Sequence, residues 1–147
     1  MAAVRRSRTL AAAPAEVWAI VGDAHHLPRW WPRATRVENV DDDGFTMVLQ
    51  PPKGKPVRAD FRVVRSSPQR VRGWAQELAG SPFERILSFS ETEIRLEPAG
   101  DGTRVEIALA QRPRGLALLG SFMMRTAAGR QLDEALDAIE ALLGGRR

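Results

Sequence analysis

"TRVEIALAQRPRGLALLGSFMMRTAAGRQLDEALDAIEALLG", residues 103–144, changes its period in the middle. Val105, Ile107 and Leu109 alternate with Arg104, Glu106 and Ala108, the period of two of a strand with one apolar face. After Arg112-Pro113 the period becomes helical. Leu116, Leu119, Phe122, Met123 and Thr126 lie near one stripe, and Leu132, Leu136, Ile139 and Leu143 continue it, which predicts a helix over 115–143. Gly120 and Gly129 weaken that helix locally and mark a bend or a close backbone approach, and Gly144-Gly145 ends it. A strand with one apolar face and a long amphipathic helix must bury those faces against each other.

The pattern upstream extends the sheet. "AGDG" turns the chain into 103–111 from "FERILSFSETEIRLEP", where Thr92, Ile94 and Leu96 oppose Glu91, Glu93, Arg95 and Glu97. Ser81-Pro82 separates that strand from "QRVRGWAQELAG". "VRADFRVVRSSP" places Val57, Ala59, Phe61 and Val63 on one face and Arg58, Asp60 and Arg62 on the other, an antiparallel strand with one wet side. "PPKGKP" is a loop, and "DDDG" between "ATRVENV" and "FTMVLQ" is a hairpin turn. Before these come a weakly alternating strand at 3–10 and a short helix in "APAEVWAIVGD". Pro14 suits its first turn, and Val17, Ile20 and Val21 share a face. "AHHLPRWWP" has room for one more helical turn before Pro32. The expected class is α+β: a curved antiparallel sheet of about seven strands around one long C-terminal helix, with two short helices after the first strand.

Composition fits one domain over residues 1–147. A chain this long buries roughly 68–70% of its unfolded surface. With no cysteine there are no disulfides, thiolate metal sites or thiol nucleophiles, which agrees with a cytoplasmic setting. No apolar run is long enough for stable membrane insertion, and Glu16 interrupts the only signal-like stretch. The net charge is +4, and Lys53 and Lys55 are the only lysines among 22 basic residues. The arginines are scattered, mostly near acids, so nucleic acid is not the expected partner. Oligomeric state stays open.

The order and spacing of "APAEVWAIVGDAHHLPRWWP", "SPFERIL", "EIRLEPAGDGTRVEI" and the C-terminal helix resemble the START-like superfamily. More closely, they resemble its SRPBCC, or polyketide cyclase/dehydrase and lipid-transport, family, whose fold is the helix grip. The resemblance covers essentially the whole chain. It implies a deep, mostly apolar cavity between sheet and helix that takes a lipid, polyketide or isoprenoid-type molecule.

Residues with the inward parity are then the candidate ligand contacts: Phe61, Val63, Thr92, Ile94, Leu96, Ile107 and Leu109, with Gln111 sharing the face of Leu109. The parity of 69–79 is ambiguous. Burying the indole of Trp74 argues that it faces in, carrying Arg72 and Gln76 with it. Leu119, Phe122 and Met123 are the candidates on the helix. One of Trp30 and Trp31 is expected in the core and the other at the cavity mouth, while Trp18 packs the core.

His25 and His26 are adjacent and cannot share a metal from one helical face. No zinc, calcium, phosphate-loop or nucleophile-elbow motif accompanies them, so neither metal nor cofactor is expected. Asp23 beside a histidine would make a general base, and a helix-to-helix turn is the plainer reading. The chain has no tyrosine to polarise a ketone. The functional expectation is a non-catalytic binder or carrier of a hydrophobic small molecule. An aromatase/cyclase using Arg72, Gln76 and a histidine is the alternative, and a protein-interaction or regulatory module is the third reading.

Overall fold

A computed structural model describes residues 3–144. Seven strands form one antiparallel sheet: β1 (Ala3–Leu10), β2 (Ala34–Glu38), β3 (Gly44–Leu49), β4 (Val57–Ser67), β5 (Val71–Glu77), β6 (Leu87–Ala99) and β7 (Gly102–Pro113). Their spatial order is β1-β7-β6-β5-β4-β3-β2, so the first strand pairs with the last and every later connection is between neighbours. Helices α1 (Pro14–Val21) and α2 (Leu27–Trp30), joined by a 3-10 turn at Ala24–His26, cross from β1 to β2. Helix α3 (Ser121–Leu142) lies in the concave face, giving the helix-grip arrangement. Among the described residues no helix is long and apolar enough to cross a membrane.

Local chemistry accounts for the strand connections. Asp41 Oδ1 accepts from the backbone N–H groups of Asp43 and Gly44 (2.8 and 3.0 Å), which closes the β2–β3 turn. Gly102 lets the β6–β7 turn press against the end of β1. A Cβ there would stand 2.0 Å from the Leu10 carbonyl oxygen. The buried Thr103 hydroxyl donates to Ala12 O at 2.7 Å and fixes the same junction.

Alternation sorts the two faces. Inward residues of the central strands form a dry core, with Ile94, Val105 and Ile107 fully buried against Leu132, Leu136 and Ile139 of α3. The convex face carries ion pairs, among them Arg65–Glu93 (2.6 Å), Arg62–Glu77 (2.8 Å) and Arg65–Glu91. On the concave side of β1, Arg6 reaches Asp133 (3.6 Å), and Arg8 reaches Glu140 (3.3 Å) and Asp137. The edge strand is thereby clasped to α3. Gly129 is the close approach that permits this, since a Cβ there would lie 2.4 Å from Arg6 Nη2.

Two element boundaries differ from the sequence expectation. The helix expected over 115–143 is divided: Gly115–Gly120 is a 3-10 helix and α3 begins at Ser121. Gly115 has a left-handed φ of 62°, and Gly120 is the poor helix former at the joint. Residues 83–86 are not strand. Ser81 Oγ accepts from Phe83 N (3.1 Å) and Leu87 N donates to Phe83 O (3.0 Å), so the chain turns there before β6 starts.

Candidate functional site

The concave face is filled at one end and hollow at the other. At the filled end, Ile94, Leu96 and Ile107 are solid core. Towards the hollow end the inward positions of β6 and β7 become Thr92, Ser90, Leu109 and Gln111, and an inner cavity of about 220 Å³ opens. From the sheet, Leu49, Phe61, Trp74 and Gln76 complete its wall. Trp31, Phe83, Leu87 and Gln131 of α3 close it. A second, outer cleft of about 280 Å³ shares Leu109 and Gln111 with the cavity. It runs between β7 and the start of α3, past Leu118, Ser121, Met124 and Ala128, with Arg112 and Arg125 on its walls.

An aromatic cluster shapes the inner cavity. Trp31 packs edge-on to Trp30 (centroids 5.7 Å apart) and to Trp74 (6.3 Å), and Phe45 stacks on Phe61 at 5.3 Å. Both Trp30 and Trp31 are buried, 2% and 7% exposed. This corrects the expectation that one of them borders the mouth: Trp30 lies behind the cavity and Trp31 lines it from within. Trp74 faces inward, and Gln76 follows it on the same face.

The inner cavity is polar without being charged. Its polar side chains are Gln76, Ser90, Thr92, Gln111 and Gln131, with the indole of Trp74. Trp74 Nε1 and Gln76 Nε2 are buried donors with no protein acceptor, and Trp30 Nε1 behind them is in the same condition. Buried donors are normally paired, so two unpaired donors within lining side chains mark this wall as a place where an acceptor is missing.

Other sequence candidates fall outside the cavity. Val63 is half-buried on β4, opposite Trp74 in the ladder. Arg72 lies on the other side of Trp74 from Gln76, with Nη1 3.3 Å from Ser66 Oγ. Burial lowers its pKa, and the fields of Asp23 and Asp42 offset part of that. His25 and His26 stay with Asp23 on the α1–α2 connection; His25 Nδ1 is 2.9 Å from Asp23 Oδ1. Burial acts to raise the Asp23 pKa, but the hydrogen bonds from the His25 backbone and ring outweigh it and hold the carboxyl below its ordinary range. Neither histidine lines the cavity.

Leu119, Phe122 and Met123 are 87%, 73% and 75% exposed and do not line it either, which corrects the expected helix face. The buried face of α3 runs through Ala128, Leu132, Ala135, Leu136 and Ile139. At roughly 100° per residue, Met123 points away from that face and Phe122 lies on its flank. Near the helix start, Ser121 and Ala128 line the outer cleft together with Met124 and Arg125, and of α3 only Gln131 lines the inner cavity. Gln131, Ser90 and Leu49 are cavity residues that the sequence reading did not single out. Ser90 was accessible through its parity with Thr92, whereas Gln131 interrupts an apolar stripe and looks like a surface residue.

Comparison with known proteins gives the same architecture. The START superfamily protein from Mycobacterium smegmatis superposes with a TM-score of 0.78 at 16% identity, covering 95% of this chain and 94% of that one. The Zhui aromatase/cyclase from a Streptomyces species gives 0.77 at 17% identity, covering 94% and 90%. XoxI from Bacillus cereus gives 0.78 at 16% identity, covering 97% and 95%. No curated protein sequence matches the chain. The model of the polyketide cyclase / dehydrase and lipid transport family matches residues 1–144, and the chain belongs to that family.

Proposed function

We propose that the protein binds or carries a neutral, mainly apolar small molecule bearing a carbonyl or similar acceptor, held in the inner cavity. The observation that carries this reading is the pair of buried donors without protein acceptors, Trp74 Nε1 and Gln76 Nε2, in side chains of an uncharged wall that mixes aromatic and aliphatic residues with Ser90, Thr92, Gln111 and Gln131. A carboxylate entering there would lose its hydration and find no cation among the lining residues, so a neutral ligand is favoured. Family membership supports a hydrophobic ligand of lipid, polyketide or isoprenoid type. Chemistry by an aromatase/cyclase is the weaker reading, because Arg72, His25 and His26 lie outside the cavity and its lining offers no titratable side chain as acid or base.

The test has two arms. Native mass spectrometry of the purified protein looks for a retained small molecule. Titration with acetylnaphthalene, a neutral aromatic ketone, reads the fluorescence of Trp31 and Trp74, and the anionic naphthoate serves as comparison. Saturable quenching by the ketone, weak quenching by naphthoate, and loss of ketone binding in Gln111→Phe, which puts a larger side chain on the cavity wall, are the expected results. No retained molecule together with no saturable quenching refutes the reading.

A further inference from the structure

The largest exposed apolar residues of the described chain are gathered in one place. Leu116 (86% exposed), Leu118, Leu119, Phe122 and Met123 follow one another along the 3-10 helix and the first turn of α3. Ile86 joins them from the turn before β6, because Arg114 N donates to Ile86 O at 2.9 Å. Single exposed apolar residues are ordinary, but a contiguous group of six marks an interaction surface.

The charge around this patch is mainly basic, with Glu84 in the turn before β6 the neighbouring acid. Residues 107–132 contain Arg112, Arg114, Arg125 and Arg130 and no Asp or Glu. Elsewhere on the sheet and α3, most arginines pair with carboxylates, among them 5, 6, 8, 36, 58, 62, 65, 95 and 104, while Arg72 and Arg130 do not. Arg85, Arg112, Arg114 and Arg125 beside the patch are exposed without an ion-pair partner, as are Arg29, Arg33, Arg70 and Arg130 elsewhere among the described residues. An apolar centre with a basic fringe is the pattern of an element lying in the interface of an anionic bilayer, with leucine and phenylalanine at the acyl boundary and arginine at the headgroups.

We propose that the 3-10 helix and the start of α3 form a docking surface for an anionic lipid membrane. Charge decides against the other occupants. A second copy seated on this patch by two-fold symmetry would set arginines against arginines with no acid from 107–132 to answer them. Nucleic acid would meet the arginines but leave the aliphatic centre facing bases without a stacking platform beyond Phe122. The patch also adjoins the outer cleft through Leu118, Arg112 and Arg125, and that cleft shares Leu109 and Gln111 with the inner cavity. Docking requires only the surface and holds whether or not the cavity reading does.

Co-sedimentation with vesicles tests this, using phosphatidylcholine alone and phosphatidylcholine with phosphatidylglycerol in equal parts. The wild-type protein should sediment with the anionic vesicles, leave the neutral ones, and be released by salt. Replacing Leu119, Phe122 and Met123 by serine should weaken vesicle binding by about a hundredfold while preserving quenching by acetylnaphthalene. Exchanging Arg112, Arg114 and Arg125 for glutamine should cost about fivefold each. No binding to anionic vesicles overturns the proposal, as does binding that the serine variant retains. So does a dimer in solution that the serine variant dissolves, or binding to a short DNA duplex without binding to vesicles. Because the serine variant keeps the cavity, failed sedimentation with intact quenching refutes only the docking surface, and the reverse result refutes only the ligand reading.

Discussion

Gln76→Leu separates stability from ligand binding at a single side chain. Gln76 Nε2 is buried on the cavity wall with no protein acceptor, while the residue as a whole keeps some exposure. Leaving a buried donor unpaired costs about 1–3 kcal/mol, and the partial exposure places Gln76 near the lower end. Leucine has a similar size, removes the donor and adds apolar contact with Phe61, which faces Gln76 across the β4–β5 ladder. The variant should therefore be more stable by about 1 kcal/mol, a rise in Tm of about 2–4 °C for a protein of this size. Its affinity for acetylnaphthalene should fall by about two- to tenfold, the worth of one neutral hydrogen bond. Thermal unfolding by circular dichroism and the tryptophan-quenching titration measure the two effects on the same samples. A lower Tm, or a higher Tm with unchanged ketone affinity, refutes the reasoning, since either outcome means that the amide is not an open donor to the ligand.

The remaining predictions concern the scaffold. Gly102→Ala should destabilise by about 1–3 kcal/mol in urea unfolding, because its Cβ would meet the backbone of Leu10, which cannot swing aside. Gly129→Ala should instead be neutral or stabilising by up to about 1 kcal/mol. Its Cβ meets only the flexible end of Arg6, and the gain in helix propensity exceeds the worth of the exposed Arg6–Asp133 pair. Acid should weaken the convex face through Glu93. Burial acts to raise its pKa, but hydrogen bonds from Arg95 and Arg65 outweigh this and hold it below the usual glutamate value. A depressed folded-state pKa gives stability that is present above the unfolded value and lost as pH falls through the folded one. The urea midpoint should thus drop on acidification below the ordinary glutamate range, and less steeply in Glu93→Gln.

The sheet was legible because its turns and its alternation agree. Asp41–Gly44 and the Asp101-Gly102 turn punctuate runs whose parity is fixed by full burial of Ile94, Val105 and Ile107. The filled half of α3 was legible for the same reason, since Leu132, Leu136 and Ile139 repeat at helical spacing and are buried. The cavity half was not. There the rule that large apolar residues turn inward reverses: Phe122 and Met123 face out, while Ser121 and Ala128 face the outer cleft. A cavity is made by what is too small to fill it, and small residues carry no hydrophobic signal. The strand at 69–79 was ambiguous because both parities hold polar residues, and only the size of the Trp74 indole separates them.

The antiparallel pairing of β1 with β7 joins Ala3 to Ala110 and Leu10 to Thr103. In vectorial synthesis the first strand therefore waits, unpaired, until nearly the whole sheet has left the ribosome, and its clasp on α3 must wait longer still. Such long sequence separations slow folding. Until β1 docks, β7 is an open edge, ready to accept the same strand from another molecule. Shortening the chain from its amino end would make that exposure permanent and leave β7 to pair with β1 of an intact chain or edge to edge with another shortened one.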